Sequence, residues 1–244
     1  MPTLQTHNLL KQFDGVKALD HLSISIEKGK ITGIIGPNGS GKSTLINTLT
    51  GLTPITGGTV VLDGKLKLTK IKSNVASTYG ITRTFQDVRL FEQMPTLDNV
   101  LVALTERNVW SALFERHKKF HLEKAEEVLR RVGLWNKKDE LAINLSYGQR
   151  KLLEIARVLA MNAEIYLFDE PFAGLFPEMI KTVVSVLKEL RVAGKTVILI
   201  EHNVALIREL SDYVIVMDSG KLLAEGEPEK VLSKPEVIEA YLGE

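Results

Sequence analysis

The chain has 244 residues, with 31 Lys and Arg against 30 Asp and Glu, a formal net charge of +1. That balance excludes the basic footprint of a nucleic-acid binder, and no apolar run approaches the roughly 18 residues needed to span a membrane. The length allows one large domain, or one carrying a sizeable insertion, with a well-buried core, and the absence of Cys fits a reducing compartment.

Met1–His7 has no basic region followed by an apolar run, so no signal peptide is expected. Leu22, Ile24 and Ile26 alternate with His21, Ser23 and Ser25, which predicts one half-buried antiparallel strand. With residues 3–10 and Thr59–Leu62 it suggests a small β-subdomain, and Asp63–Gly64 is a turn signal. Phe13 lies in the polar stretch Lys11–Gly15; an aromatic there either stacks on a base or staples the loop into the core.

Ile31–Ile35 reads as a strand and Leu45–Thr50 as a helix, with Gly36-Pro37-Asn38-Gly39-Ser40-Gly41-Lys42-Ser43-Thr44 between them. Strand, glycine-rich loop and helix, in that order, are the context of a phosphate-binding P-loop. The glycines let backbone N–H groups turn inward around phosphate oxygens, and the helix N-terminus adds partial positive charge. Lys42 reaches β- and γ-phosphates as a point charge, and Ser43 offers its hydroxyl to Mg²⁺.

From about residue 88 to 160 the pattern is helical. Thr96 is placed to cap Leu97–Leu104, and Leu122, Ala125, Val128, Leu129 and Val132 form a helical stripe ended by Gly133. Val109, Trp110, Leu113 and Phe114 sit among Arg107, Arg116, His117, Lys118 and Lys119, either as a docking surface for an apolar partner or as packing within their own subdomain. Ser146 and Gln149 have capping-box spacing, and a helix N-terminus carrying Ser146 and Gly148 is also an anion site.

Ile165–Phe168 is a continuous apolar run, as expected of a buried parallel strand, ending in Asp169–Glu170. Carboxylates at the carboxyl end of such a strand face the crevice where open α/β sheets bind ligands. Asp169 suits Mg²⁺ and Glu170 suits polarising a water for attack on a γ-phosphate. Pro177 starts a helix and Gly194 ends it; Val197–Ile200 is another buried strand, running into Glu201–His202. His202 can donate to a γ-phosphate oxygen or be structural. Val214–Met217 is a further strand, Lys221–Gly226 its hairpin partner, and helical turns follow.

Taken together, Phe13, the loop at 36–44, Gln86, Leu145-Ser146-Tyr147-Gly148-Gln149, Ile165–Glu170 and His202 resemble the ATP-binding-cassette ATPases over essentially the whole chain. The resemblance implies an α/β P-loop NTPase core with an antiparallel β-subdomain and an inserted α-helical subdomain: residues 1–87, 88–160 and 161–244 of one domain. It implies that Phe13 stacks on the base, that Gln86 senses the Mg²⁺ site and the membrane partner, and that Ser146, Gly148 and Gln149 close on ATP held by a second, identical or different, ATPase subunit. Gly80–Gln86, Arg89-Leu90-Phe91, the segment near 105–118 and Ala240–Gly243 are similar to the branched-chain amino-acid importer branch. There the expectation is Mg²⁺-dependent ATP hydrolysis at the cytoplasmic face of the membrane, driving import through permease subunits fed indirectly by a solute-binding protein. The alternatives are a soluble ATPase acting mechanically on nucleic acid or the ribosome, and a regulator that binds nucleotide without hydrolysis. Near-neutral charge opposes the first; the presence of Glu170 and His202 opposes the second. Two residues depart from the family pattern. Tyr147 stands where Gly is common. Phe176 follows Ala173-Gly174-Leu175 where Asp or Asn is usual, which predicts weaker coupling between paired nucleotide sites.

Overall fold

A computed structural model of the chain describes residues 2–85, 89–104 and 117–242. In chain order the elements are β1 (Pro2–Phe13), β2 (Val16–Leu22), β3 (Ser25–Glu27), β4 (Ile31–Ile35), α1 (Lys42–Leu49), β5 (Gly57–Leu62), β6 (Leu66–Leu68), β7 (Ile81–Arg83), α2 (Thr96–Leu104), α3 (His117–Arg131), α4 (Tyr147–Ala160), β8 (Ile165–Asp169), α5 (Pro177–Val192), β9 (Thr196–Ile200), α6 (Val204–Leu210), β10 (Tyr213–Asp218), β11 (Lys221–Gly226) and α7 (Pro228–Leu232). The chain forms two compact units, residues 1–83, 164–170 and 187–244 in one, and 84–163 and 171–186 in the other.

The first unit holds two sheets. One is six-stranded, in the order β11-β10-β4-β9-β8-β7; β4, β8 and β9 are buried at every position, as parallel strands covered on both faces must be. β11 alone pairs antiparallel, with β10, as the hairpin reading expected. The other sheet runs β2-β1-β5-β6, with β3 also on β1. Leu4, Leu22, Ile26, Leu45, Ile46, Leu167 and Ile215 belong to the core of this unit and are 1% exposed or less. Asp63 and Gly64 turn β5 into β6 with φ of 47° and 67°, the left-handed pair that a tight hairpin requires.

The alternating stretch at 21–26 is two strands rather than one. β2 pairs with the Leu9–Phe13 end of β1 and β3 with its Pro2–Gln5 end. Side chains fill the break: the Thr6 hydroxyl donates to Leu22 O at 2.9 Å and accepts from Ile24 N at 3.0 Å, and Ser23 Oγ accepts from Asn8 N at 2.8 Å.

In the second unit, Ala125, Val128, Leu129 and Val132 are buried, whereas Leu122 is 46% exposed. Thr96 is not a cap. It is the first residue of α2, and both its backbone N–H and its hydroxyl donate to Glu140 O, at 2.8 and 3.0 Å. The segment 105–116, with Arg107, Val109, Trp110, Leu113, Phe114 and Arg116, lies outside the described residues, as does Gln86. Among the described residues no helix is long and apolar enough to cross a membrane.

Candidate functional site

Three segments of the first unit leave the carboxyl ends of β4, β9 and β8, which are neighbours in the sheet. They are the loop 36–41, Glu201–His202 and Glu170. A crevice beyond the carboxyl ends of parallel strands is where this architecture binds ligands.

The loop's shape depends on its glycines. Gly36 has φ of 151°, and a Cβ there would lie 2.1 Å from Met217 O; at Gly41, with φ of 99°, it would lie 2.4 Å from Ala18 O. No side chain fits at either position without moving backbone. Lys42 opens α1 and is only 6% exposed. Its ammonium donates to Gly36 O at 2.7 Å and Pro37 O at 2.9 Å, with Ser40 Oγ at 3.4 Å. Burial holds its pKa below the usual lysine range, while attraction to Glu170 and Asp169 acts the other way. Ser43, the next residue, is exposed at the first turn of α1, as are Asn38 and Gly39 in the loop, and Thr44 is half-buried.

Asp169 ends β8 and is 3% exposed. Glu170 follows with φ of 48°, a left-handed backbone uncommon for a residue with a side chain, and its N–H donates to Ile200 O at 3.0 Å. Glu170 Oε1 is 2.9 Å from His202 Nε2. The His202 N–H donates to the buried Glu201 carboxylate at 3.2 Å. The carboxylate and the imidazole suggested separately by the sequence are thus in direct contact. A carboxylate held this way can orient a water or accept its proton.

Phe13 ends β1 and pairs with Val16 across the hairpin. It is 46% exposed, with Lys11 Nζ 4.5 Å from its ring centre, so it is not a staple into the core.

In the second unit, Ser146 precedes α4 and both arms of the capping box form. Its Oγ accepts from Gln149 N at 3.3 Å, and its own N–H donates to Gln149 Oε1 at 3.0 Å. Gly148 is packed so closely that a Cβ would lie 2.5 Å from Met179 Sδ. Tyr147 rests against Gly174, whose φ is 71° and where a Cβ would sit 2.8 Å from the ring. Phe176 is 72% exposed and occupies the position before α5, its carbonyl accepting from Met179 and Ile180.

Arg83 belongs to the importer-like stretch Gly80–Gln86, but no motif in the sequence marks it as part of the site. Its guanidinium reaches Asn47 on α1 and Thr50 at the C-terminal cap of that helix, and lies 3.5 Å from Asp169. A charge among the β-branched residues Ile81, Thr82 and Thr84, whose stretch suits a buried strand, was the signal available.

A family model described as ABC transporter matches residues 19–173, and one described as Branched-chain amino acid ATP-binding cassette transporter matches residues 221–244. A probable branched-chain amino acid transport ATP-binding protein LivG of Archaeoglobus fulgidus is 39% identical over 248 residues, covering 100% of this chain and 96% of that protein. The high-affinity branched-chain amino acid transport ATP-binding protein LivG of Escherichia coli is 38% identical over 252 residues, covering 100% and 98%. Among solved structures, a nucleotide-free ATP-binding cassette from an ABC transporter superimposes with a TM-score of 0.87 at 37% identity, over 100% of both chains. A dimeric post-hydrolysis cassette bound to ADP and Pi gives 0.81 at 26% identity, over 92% of this chain and 98% of that one.

Proposed function

The chain belongs to the ABC transporter ATPase family, and from that membership we propose that it is the ATP-hydrolysing subunit powering uptake of branched-chain amino acids through separate membrane-spanning permease subunits. The observation that carries the substrate class is the full-length similarity to LivG proteins, together with the branched-chain amino acid transporter match at residues 221–244. The chain associates peripherally with the membrane through its permease, on the cytoplasmic face where ATP is available, and a solute-binding protein delivers the amino acid from the other side. Two ATPase subunits, identical or different, pair around two nucleotides, a reading supported by the dimeric cassette to which the chain is similar.

Within the site, the loop 36–41 and Lys42 bind the phosphates, Phe13 stacks on the base, and Glu170 orients the attacking water and accepts its proton. His202 fixes the Glu170 side chain through their 2.9 Å contact. Ser146, Gly148 and Gln149 contact the nucleotide held by the partner subunit, and Gln86 responds to the metal and the permease. The residues fit Mg²⁺. Ser43 supplies a hydroxyl and Asp169 a carboxylate, the hard oxygens this ion takes, and Mg²⁺ bound with nucleotide needs only one or two protein ligands beside phosphate and water. Among the described residues no group of three or more His, Cys, Asp or Glu could form an all-protein cage, consistent with a metal that arrives on the nucleotide. Bound there, Mg²⁺ supplies charge neutralisation on the β- and γ-phosphate oxygens. A mechanical role on nucleic acid is disfavoured by the net charge of +1.

The test is uptake of labelled leucine into proteoliposomes holding this chain and the permease subunits that co-purify with it, with ATP enclosed and the solute-binding protein that co-purifies with them added outside. ATP-dependent leucine accumulation that disappears with Lys42→Ala supports the proposal. ATP hydrolysis stimulated by some other solute and indifferent to leucine, isoleucine and valine overturns the substrate class while leaving the ATPase.

A further inference from the structure

Arg83 is the last residue of β7, the edge strand, opposite Leu167 of β8. Its side chain is 8% exposed and that of Asp169 3%. Nη1 donates to Asn47 Oδ1 at 2.6 Å and lies 3.3 Å from Thr50 Oγ1, while Nη2 lies 3.5 Å from Asp169 Oδ2. The Thr50 hydroxyl spends its proton on Ile46 O at 2.8 Å, so its lone pairs are what the guanidinium meets. One planar cation therefore joins the far end of α1 to the carboxylate at the end of β8. A guanidinium can do this because its donors form a rigid fork; an ammonium is a point charge without that fixed geometry.

We propose that Arg83 is a positioning residue for the metal: by bridging α1 and Asp169 it fixes the Asp169 carboxylate relative to Ser43, at the other end of the same helix. The inference rests on the reading that Asp169 and Ser43 hold Mg²⁺. α1 is a rigid rod of 8 residues beginning at Lys42 and Ser43 and ending beside Asn47 and Thr50. Anchoring its far end to the same carboxylate sets the spacing between the two metal ligands. Carboxylates that ligate metals are themselves held by hydrogen bonds, and loss of such a partner typically costs about 10- to 100-fold in metal affinity.

The experiment uses the purified full chain with ADP, and Mn²⁺ as the metal probe, free Mn²⁺ being read by electron paramagnetic resonance. Arg83→Lys keeps the charge and loses the fork; the Mn²⁺ dissociation constant rises about 10-fold or more. ADP affinity measured in EDTA stays unchanged. Asn47→Ala, which removes the shortest anchor and leaves Arg83 in place, shifts Mn²⁺ binding the same way by less, and decides the matter should Arg83→Lys fail to fold. Asp169→Asn is the control. If it weakens Mn²⁺ binding while the Arg83 and Asn47 variants do not, the positioning role is wrong and the metal reading stands. If Asp169→Asn itself leaves Mn²⁺ binding unchanged, the metal reading falls and this inference with it. Tighter Mn²⁺ binding by Arg83→Lys, or equal weakening of metal-free ADP binding, also overturns it, the first marking Arg83 as a competitor of the metal and the second as general scaffolding.

Discussion

Glu170 carries both a catalytic assignment and a left-handed backbone, and the two can be separated by comparing three substitutions. Its φ of 48° costs an L-residue roughly 1–2 kcal/mol, a cost that glycine avoids. Glycine gives back about 0.5–1 kcal/mol through the greater freedom of its unfolded chain. The contact with His202 offsets part of this in the parent, because the imidazole side chain is 43% exposed and such pairs contribute about 1 kcal/mol at most; Gly and Ala at 170 both lack it. Glu170→Gly is therefore expected to be more stable than Glu170→Ala by about 0.5–1 kcal/mol, a rise of roughly 1–4 °C in melting temperature for a chain of this size. Glu170→Gln keeps the strain and the shape and melts close to the parent. All three lose the carboxylate, and ATP turnover, followed by phosphate release, falls about 10²-fold or more. With ATP and Mg²⁺, Glu170→Gln should accumulate as a dimer by light scattering. Glu170→Gly melting at or below Glu170→Ala would refute the strain argument. Normal turnover in Glu170→Gln would remove Glu170 from the chemistry.

Phe13→Ala should weaken ATP binding about 5-fold, the scale of one aromatic contact, and leave inorganic triphosphate binding unchanged by calorimetry; equal loss for both ligands would mean Phe13 supports the fold rather than the base. Phe176→Asp should place a capping carboxylate before α5 and stabilise the chain by about 1 kcal/mol in urea unfolding, since the phenyl ring there is exposed; an unchanged midpoint would show that α5 needs no cap. Burial lowers the Lys42 pKa, and the ammonium is the form that attracts phosphate. ATP affinity at fixed Mg²⁺ should thus decline as pH rises through that lowered value, short of the ~10.4 of a free lysine, and Lys42→Met should bind weakly with no such step.

Most of the parallel sheet was legible because its strands are short apolar runs ending in polar residues, as Ile165–Asp169 and Thr196–Glu201 are. The loop at 36–41 was legible because few sequences satisfy its glycine spacing. What escaped depended on partners distant in the chain. Thr96 looked like a cap by local spacing, but the Asn99 N–H that its hydroxyl would have accepted donates to Pro95 O, while the Thr96 hydroxyl and N–H both donate to Glu140 O. The break between Leu22 and Ser25 follows from Thr6 and Ser23 bonding across strands, which alternation alone does not encode. Arg83 acquires a meaning only when Asn47 and Asp169 are folded beside it. Ser146 and Gln149 were legible as a capping box, and that structure forms in full.

The two hydrogen bonds from Lys42 to Gly36 O and Pro37 O mean that its ammonium faces oxygens whose lone pairs would otherwise repel a polyanion. Lysine thus has a subtractive part as well as an attractive one: it masks negative dipoles built into the same curl that presents the N–H groups. Removing it exposes two carbonyl dipoles while deleting a positive charge, so the affinity lost should exceed what one distant cation supplies. A lysine reintroduced elsewhere on the crevice wall would restore the charge and leave the repulsion.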